Sequence, residues 1–155
     1  MSHRIELSDI KNNYVAVEDA REMSGLRMVL GAYPVPGPWR ESCKGIFYVK
    51  GLSYTCVKTA NRDESDLAVG INGSQSELIS WTSQASAPVA IWQDERPRSS
   101  WVDQINLAER LEPEPRLVPK NSADRVLMFG LINELAGEFG AAWMGRHILV
   151  KTAYQ

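Results

Sequence analysis

Histidine and cysteine are nearly absent from this chain. Of its 155 residues two are histidine, His3 and His147, and two are cysteine, Cys43 and Cys56. Two cysteines exclude a disulfide framework, a CxxC redox pair and a four-cysteine zinc site. Two histidines, one of them among the first three residues, leave no histidine-rich metal centre and no convincing Ser-His-Asp triad. A basic excess is also missing: 17 Lys and Arg stand against 19 Asp and Glu, a net charge of −2, which argues against nucleic-acid binding. No apolar run approaches the roughly 20 residues of a membrane span. The start, MSHRIELSDIKNN, lacks the apolar core of a secretory signal. The expectation is a soluble, cytoplasmic protein whose chemistry uses few titratable groups or a cofactor that brings its own.

What is present is 44% apolar residues against 23% charged, the composition of one globular domain that buries a core without disulfides or a structural metal. Residues 1–26 are polar, with a short helical candidate at Val17–Met23. Leu26–Leu30, closed by Gly31, reads as a strand. After the turn Tyr33–Pro38 comes a helix to Val49; Pro38 suits its first turn, where the missing N–H is no loss, and Gly51 closes it. Ser53–Thr59 is rich in β-branched and aromatic residues and forms a second strand. Two strands joined by a helix make a parallel, right-handed βαβ unit. A polar loop at 61–74 and a short helix at 76–84 follow. Next come a strand at 86–92 entered at Pro88, a poorer strand at 96–99, and a helix at 100–111 with Val102, Ile105, Leu107 and Leu111 as its apolar set. Three prolines in Glu112–Pro119 mark a linker. Ser122 then caps a helix from Ala123 to about Trp143, apolar at Val126, Leu127, Phe129, Leu131, Ile132, Leu135 and Phe139. It is apolar around much of its circumference and needs partners.

This order of elements resembles the glutathione S-transferases. The likeness is carried by GPWRESCKGIFYVKGL (37–52), SAPVAIW (86–92), RSSWVDQINLAERLEP (98–113) and RVLMFGLINELAGEFG (125–140), and it covers about 27–145. It implies an α/β fold, a thioredoxin-like βαβ-α-ββα domain followed by the start of an all-α domain. The expected division is an N-terminal extension at 1–26, a glutathione-binding domain at 27–112, a linker at 113–121 and the incomplete beginning of a helical domain at 122–155.

The resemblance also assigns roles. Ala87-Pro88 matches the cis proline before the third strand, where the glutathione backbone pairs with the exposed edge; the plain alternative is a trans proline at a strand start. Ser99-Ser100 stands where the family has a Glu-Ser pair. Ser100 keeps the part that holds the γ-glutamyl carboxylate at a helix N-terminus, or is simply an N-cap. The ammonium partner falls to Asp103 or a neighbouring subunit. Tyr33 stands eight residues before Glu41-Ser42, as the thiolate-activating tyrosine does in the tyrosine classes, against the alternative of a tyrosine packing at a strand end. The serine and cysteine classes would place that group near Gly37 or Arg40, neither a hydroxyl nor a thiol. Trp39 shields the thiolate and Arg40 raises the local positive potential or reaches a ligand carboxylate; the plain alternative is an aromatic capping the core edge beside a solvated Arg. Cys43 and Cys56 read as small buried hydrophobes, and His147 as a surface residue without a role.

The resemblance thus implies a glutathione transferase-like enzyme in detoxification, with glutathione as co-substrate and no metal. Its thiolate attacks an electrophilic carbon or a peroxide. The alternative is a non-catalytic binding or assembly module of the same fold. A disulfide oxidoreductase is set aside because Cys43 and Cys56 form no vicinal pair. The expected partners are glutathione and a small electrophile, without nucleic acid or membrane. A homodimer or other self-association uses the exposed apolar surface of 122–145. The chain is a natural short form or a truncation of the family's two-domain plan.

Overall fold

A computed structural model of the chain describes residues 14–30, 38–58, 76–145 and 148. In chain order its elements are α1 (Val17–Arg21), β1 (Leu26–Val29), α2 (Pro38–Val49), β2 (Thr55–Val57), α3 (Ser76–Thr82), β3 (Val89–Trp92), α4 (Trp101–Leu111) and α5 (Ser122–Ala136).

Alternation along β1 divides the core in two. Leu26, Met28 and Leu30 face one way and pack with Cys43 and Phe47 of α2 and Leu107 and Ala108 of α4. Val29 faces the other way, with Val17 and Ala20 of α1 and Leu78 of α3. Helices on both faces bury every residue of β1, which is why the strand reads as a nearly continuous apolar run. The sheet order is β2-β1-β3. β1 pairs parallel with β2, Met28 beside Cys56, and antiparallel with β3, Val29 beside Val89. The chain therefore has the thioredoxin-like α/β architecture with an appended helix that its element order implied.

Within the expected N-terminal extension, Val15 adds a parallel bridge to Val57 at the outer edge of β2, and α1 lies on the sheet with Val17 and Ala20 buried. Gly51 closes α2 as expected: its φ of +67° lets its N–H reach the carbonyl of Tyr48 at 2.9 Å while Leu52 N–H reaches Phe47 at 3.0 Å.

Three expectations are corrected. The strand at 96–99 reduces to one bridge, Ala90 to Arg98. Pro97 has no N–H to extend the ladder, and Ser100 already caps α4. The long helix ends at Ala136 rather than near Trp143. A Cβ at Gly137 would lie 2.5 Å from the Asn133 carbonyl oxygen, so the chain turns there on a glycine; residues 141–145 are helical again. The cap of α5 is Asn121, not Ser122: its Oδ1 accepts from Ala123 N at 2.8 Å and Asp124 N at 3.2 Å.

Two buried polar side chains bind the elements together. Arg27, on the α1 face of β1, donates to the carbonyls of Ala20 at 3.0 Å and Met23 at 2.5 Å and to that of Gln93. One guanidinium thus caps the end of α1 and ties it to the exit of β3. It also lies 5.6 Å from the centroid of the Trp81 ring. Gln104, buried in α4, donates to the carbonyls of Ser99 at 3.3 Å and Arg98 at 3.4 Å, which fixes the turn that leads into the helix.

Candidate functional site

The strand registers bring the candidate residues to one end of the sheet. Val89 sits beside Val29, so Pro88 stands level with Leu30 at the exit of β1. The Ala87–Pro88 peptide is cis; Pro88 is buried and Ala87 half-buried. Arg98 and Ala90 exchange backbone hydrogen bonds of 2.8 and 2.9 Å. Continuing that antiparallel register by two residues sets Ser100 level with Pro88.

Ser100 caps α4. Its Oγ accepts from Asp103 N at 3.0 Å while its carbonyl accepts the first helical bond from Gln104 N. The hydroxyl proton stays available for donation, beside the first-turn N–H groups that have no acceptor within the helix. This end of α4 therefore offers donors and the positive dipole end to a carboxylate. Ser99 is exposed next to it, and the Asp103 carboxylate is drawn toward Arg96 at 3.6 Å.

The second helix start at this end belongs to α2. Pro38 occupies its first position. Arg40 donates through Nη1 to the carbonyl of Leu30 at 3.1 Å, pinning the first turn of α2 to the exit of β1. Trp39 points elsewhere: its Nε1 donates to the carbonyl of Ala136 at 3.2 Å, and its ring meets Trp143 edge-on at 5.6 Å. At the start of α4, Trp101 lies 6.0 Å from Phe129 of α5. One face of α5 thus holds the first turns of both site helices, a relation the sequence reading did not foresee. The signal was the helical spacing of Phe129 and Ala136, two turns apart on one face.

Tyr33, the expected thiolate-activating residue, lies outside the described residues, as do Gly37 and His147. Trp39, Arg40, Ala87, Pro88, Ser99 and Ser100 are described. A side-chain hydrogen bond ties Arg40 to the exit of β1, and the register of the Ala90–Arg98 bridge sets Ser99 level with Val89 and Ser100 level with Pro88.

The cysteines stand apart from this end. Cys43 is buried, its Sγ 3.5 Å from the sulfur of Met28, and burial pushes its thiol up to about 12. Burial also raises Cys56, against the nearby Lys44, and holds the neighbouring Tyr54 phenol at about 12. A thiol raised in this way carries almost no thiolate at neutral pH and is a poor nucleophile. Among the described residues no group of three His, Cys, Asp or Glu is placed to hold a metal ion, and no helix is long and apolar enough to cross a membrane.

No protein-family model matches this sequence, and no curated protein does. The fold does match solved structures. A glutathione transferase homologue from Sulfitobacter, with bound glutathione, superposes with a TM-score of 0.55 at 12% identity, over 85% of this chain and 66% of the other. A beta-etherase from Sphingobium gives 0.56 at 18% identity, over 77% of this chain and 44% of the other. A Tau class glutathione S-transferase from mango, Mangifera indica, gives 0.50 at 14%, over 83% and 59%. This chain spans less than two thirds of the length of each. The fold is that of the glutathione transferases.

Proposed function

We propose that this chain binds reduced glutathione along the Ala87–Pro88 edge, with the γ-glutamyl carboxylate at Ser100 and the first-turn N–H groups of α4. The observation that carries the reading is the meeting of the Ala87–Pro88 turn and the capped start of α4 at the end of the sheet where α2 also begins. A neighbour of the same fold holds glutathione.

The thiol lies toward the first turn of α2. There the helix dipole and free N–H groups favour the thiolate, and Tyr33 is proposed as its hydroxyl partner. The sulfur then forms a bond to an electrophilic carbon, and the leaving group departs with its bonding electrons; the thiol proton has gone to solvent. With a peroxide, the sulfur bonds to one oxygen as the O–O bond breaks, and the other oxygen leaves as alkoxide or hydroxide and takes a proton from solvent. A second glutathione thiol then displaces water from the resulting glutathione sulfenic acid to give the disulfide. Arg40 keeps the α2 start in place for this, and Trp39 joins it to α5. No metal takes part. A cytoplasmic location, a role in detoxification and self-association of the chain belong to the same proposal.

Calorimetric titration with reduced glutathione, repeated with Ser100→Ala, tests binding. Saturable binding weakened by the substitution supports the site; no binding at about millimolar glutathione, a Kd equivalent of roughly −4 kcal/mol, removes the enzyme reading. Tyr33→Phe tests the chemistry: turnover of an electrophile should fall sharply with glutathione binding retained.

A second reading, a non-catalytic binding or assembly module, is favoured by one observation. The outward side of α5 is apolar and open. Wild-type chain that binds glutathione yet turns over neither an electrophile nor a peroxide supports it.

A further inference from the structure

A cleft of about 340 Å³ opens at the end of the sheet opposite the Ala87–Pro88 turn. Arg27 and Ile91, side by side on β1 and β3, both line it. To these α1 adds Arg21, α3 adds Trp81, and the turn after β3 adds Asp94, Glu95 and Arg96. Hydrogen bonds fix these walls. Gly25 N donates to Gln93 Oε1 at 3.2 Å and Gln93 N to the Gly25 carbonyl at 3.1 Å, which holds the turn. Arg21 donates to the carbonyl of Glu77 at 2.9 Å and to the Ser80 hydroxyl, which joins α1 to α3.

Arg27 sets the charge of the cleft. It is 2% exposed, yet among the described residues no carboxylate forms an ion pair with it. Its partners are neutral carbonyls, and among the described residues its Nε finds no acceptor. A buried charge is costly without a counter-charge, and burial draws the guanidinium pKa down against the charge of Asp94. The neighbouring carboxylates are engaged elsewhere. Both Glu95 oxygens accept from Arg110, at 2.7 and 2.6 Å, and one also from Arg98 at 2.6 Å. Glu77, near Arg21, shares a hydrogen bond with Glu18, and Asp103 draws Arg96 only from 3.6 Å. Three arginines of the lining are therefore set against Asp94, and the balance is positive.

We propose that this cleft binds a small aromatic carboxylic acid, its carboxylate drawn to Arg21, Arg27 and Arg96 and its ring lying against Trp81 and Ile91. The Trp81 ring lies 5.6 Å from the Arg27 guanidinium, so an apolar surface and a positive charge adjoin, as such a ligand requires. The volume stands at the small end of ligand sites and admits one or two rings. Asp94 on the same wall sets the cleft against a doubly charged phosphate. Ile91 is three residues past Pro88, roughly 10 Å of strand, so the inference does not rest on glutathione binding.

Calorimetric titration of the whole chain with benzoate and 2-naphthoate, with 2-naphthamide as the neutral control, tests this. At least one acid should bind saturably at about millimolar concentration or below, and the amide should bind about tenfold more weakly or not at all. Arg21→Gln should weaken the acid about tenfold, and Arg96→Gln, at an exposed side chain, about threefold. Asp94→Asn should strengthen it, a change of sign that partial unfolding does not produce. Ser100→Ala, at the other end of the sheet, should leave it unchanged. Arg27 stays in place because it holds α1, and circular dichroism of the Arg21 and Arg96 variants should match wild type. No binding of either acid, or equal binding of acid and amide, overturns the proposal. So does displacement of the acid by an equal concentration of inorganic phosphate. Binding lost in Ser100→Ala but kept in Arg21→Gln places the acid at the glutathione end and overturns it as well.

Discussion

Lys50 Nζ lies 2.5 Å from Glu109 Oε1, and the lysine side chain is sealed from solvent. The same carboxylate oxygen accepts from Leu117 N at 2.7 Å, so one ion pair joins the end of α2, the last turn of α4 and the segment that leads to α5. Partial burial works to raise the Glu109 carboxyl, but the bonds from Lys50 and Leu117 outweigh it and hold the group below its ordinary value of 4.5. A depressed carboxylate stabilises the fold above its unfolded value and loses that contribution as pH falls through the folded one. Glu109→Gln should therefore destabilise the protein at neutral pH by about 3 kcal/mol, because a buried ammonium is left unpaired. Urea unfolding at neutral and acid pH checks this: the gap between wild type and variant should narrow in acid. Lys50→Met, which removes the buried charge, should be the milder change.

Arg27→Leu should cost about 3 kcal/mol. It leaves the carbonyls of Ala20, Met23 and Gln93 without their donor, and each lost bond to a charged group is worth roughly 1.5–3 kcal/mol, less the relief of unburying a charge. Arg27→Lys should not restore the loss, because one ammonium cannot span carbonyls that a planar fork reaches from both ends. Hydrogen exchange should show α1 loosening before the rest of the sheet. Uniform loosening instead would mean that the guanidinium is not the clasp of α1.

Ser100→Ala should remove the cap of α4, about 1 kcal/mol, visible in thermal unfolding. Ser100→Thr keeps the hydroxyl and should restore both the stability and the proposed glutathione affinity. Affinity lost in both variants, with stability restored only in the threonine, would separate the cap from the ligand contact.

Thiol reactivity should follow burial. At about pH 8, native protein treated with iodoacetamide should label Cys56 slowly and leave Cys43 unmodified until denaturant is added, since burial holds the Cys43 thiol at about 12. Peptide mass spectrometry reads both sites. Native labelling of Cys43 ahead of Cys56 would contradict the packed position beside Met28.

Much of this was legible before the fold was described. Leu26–Leu30 announced a central strand because both its faces are covered, and Pro38 and Gly51 bracketed α2 through backbone rules that need no tertiary contact. The Ala87–Pro88 turn and Ser100 were placed by family likeness, and the Ala90–Arg98 bridge brings them level. Other features depended on packing. Arg27 and Gln104 read as solvent-facing in any hydropathy pattern, yet each is buried against backbone carbonyls: those of α1 and the exit of β3 for Arg27, those of the Arg98–Ser99 turn for Gln104. The helix from Ser122 looked longer because apolar spacing continues through Phe139; Gly137, a matter of close approach to Asn133, interrupts it. The outward leucines read as a core stripe seeking a cover, and only the attached side, Phe129 and Ala136, tells which half of the circumference is taken.

The short sheet is closed at both borders by single residues. Val15 occupies the free side of β2 through Val57, with its N–H on Cys56 and its carbonyl receiving Lys58 N, each at 3.0 Å, and Arg98 occupies β3 through Ala90. Among the described residues neither border presents a long row of open N–H and C=O groups to another chain. The exposed Leu127, Leu131 and Leu135 of α5 are thus set apart from any long open strand edge among the described residues, so a contact made through them is side chain to side chain and not the backbone pairing that seeds fibres.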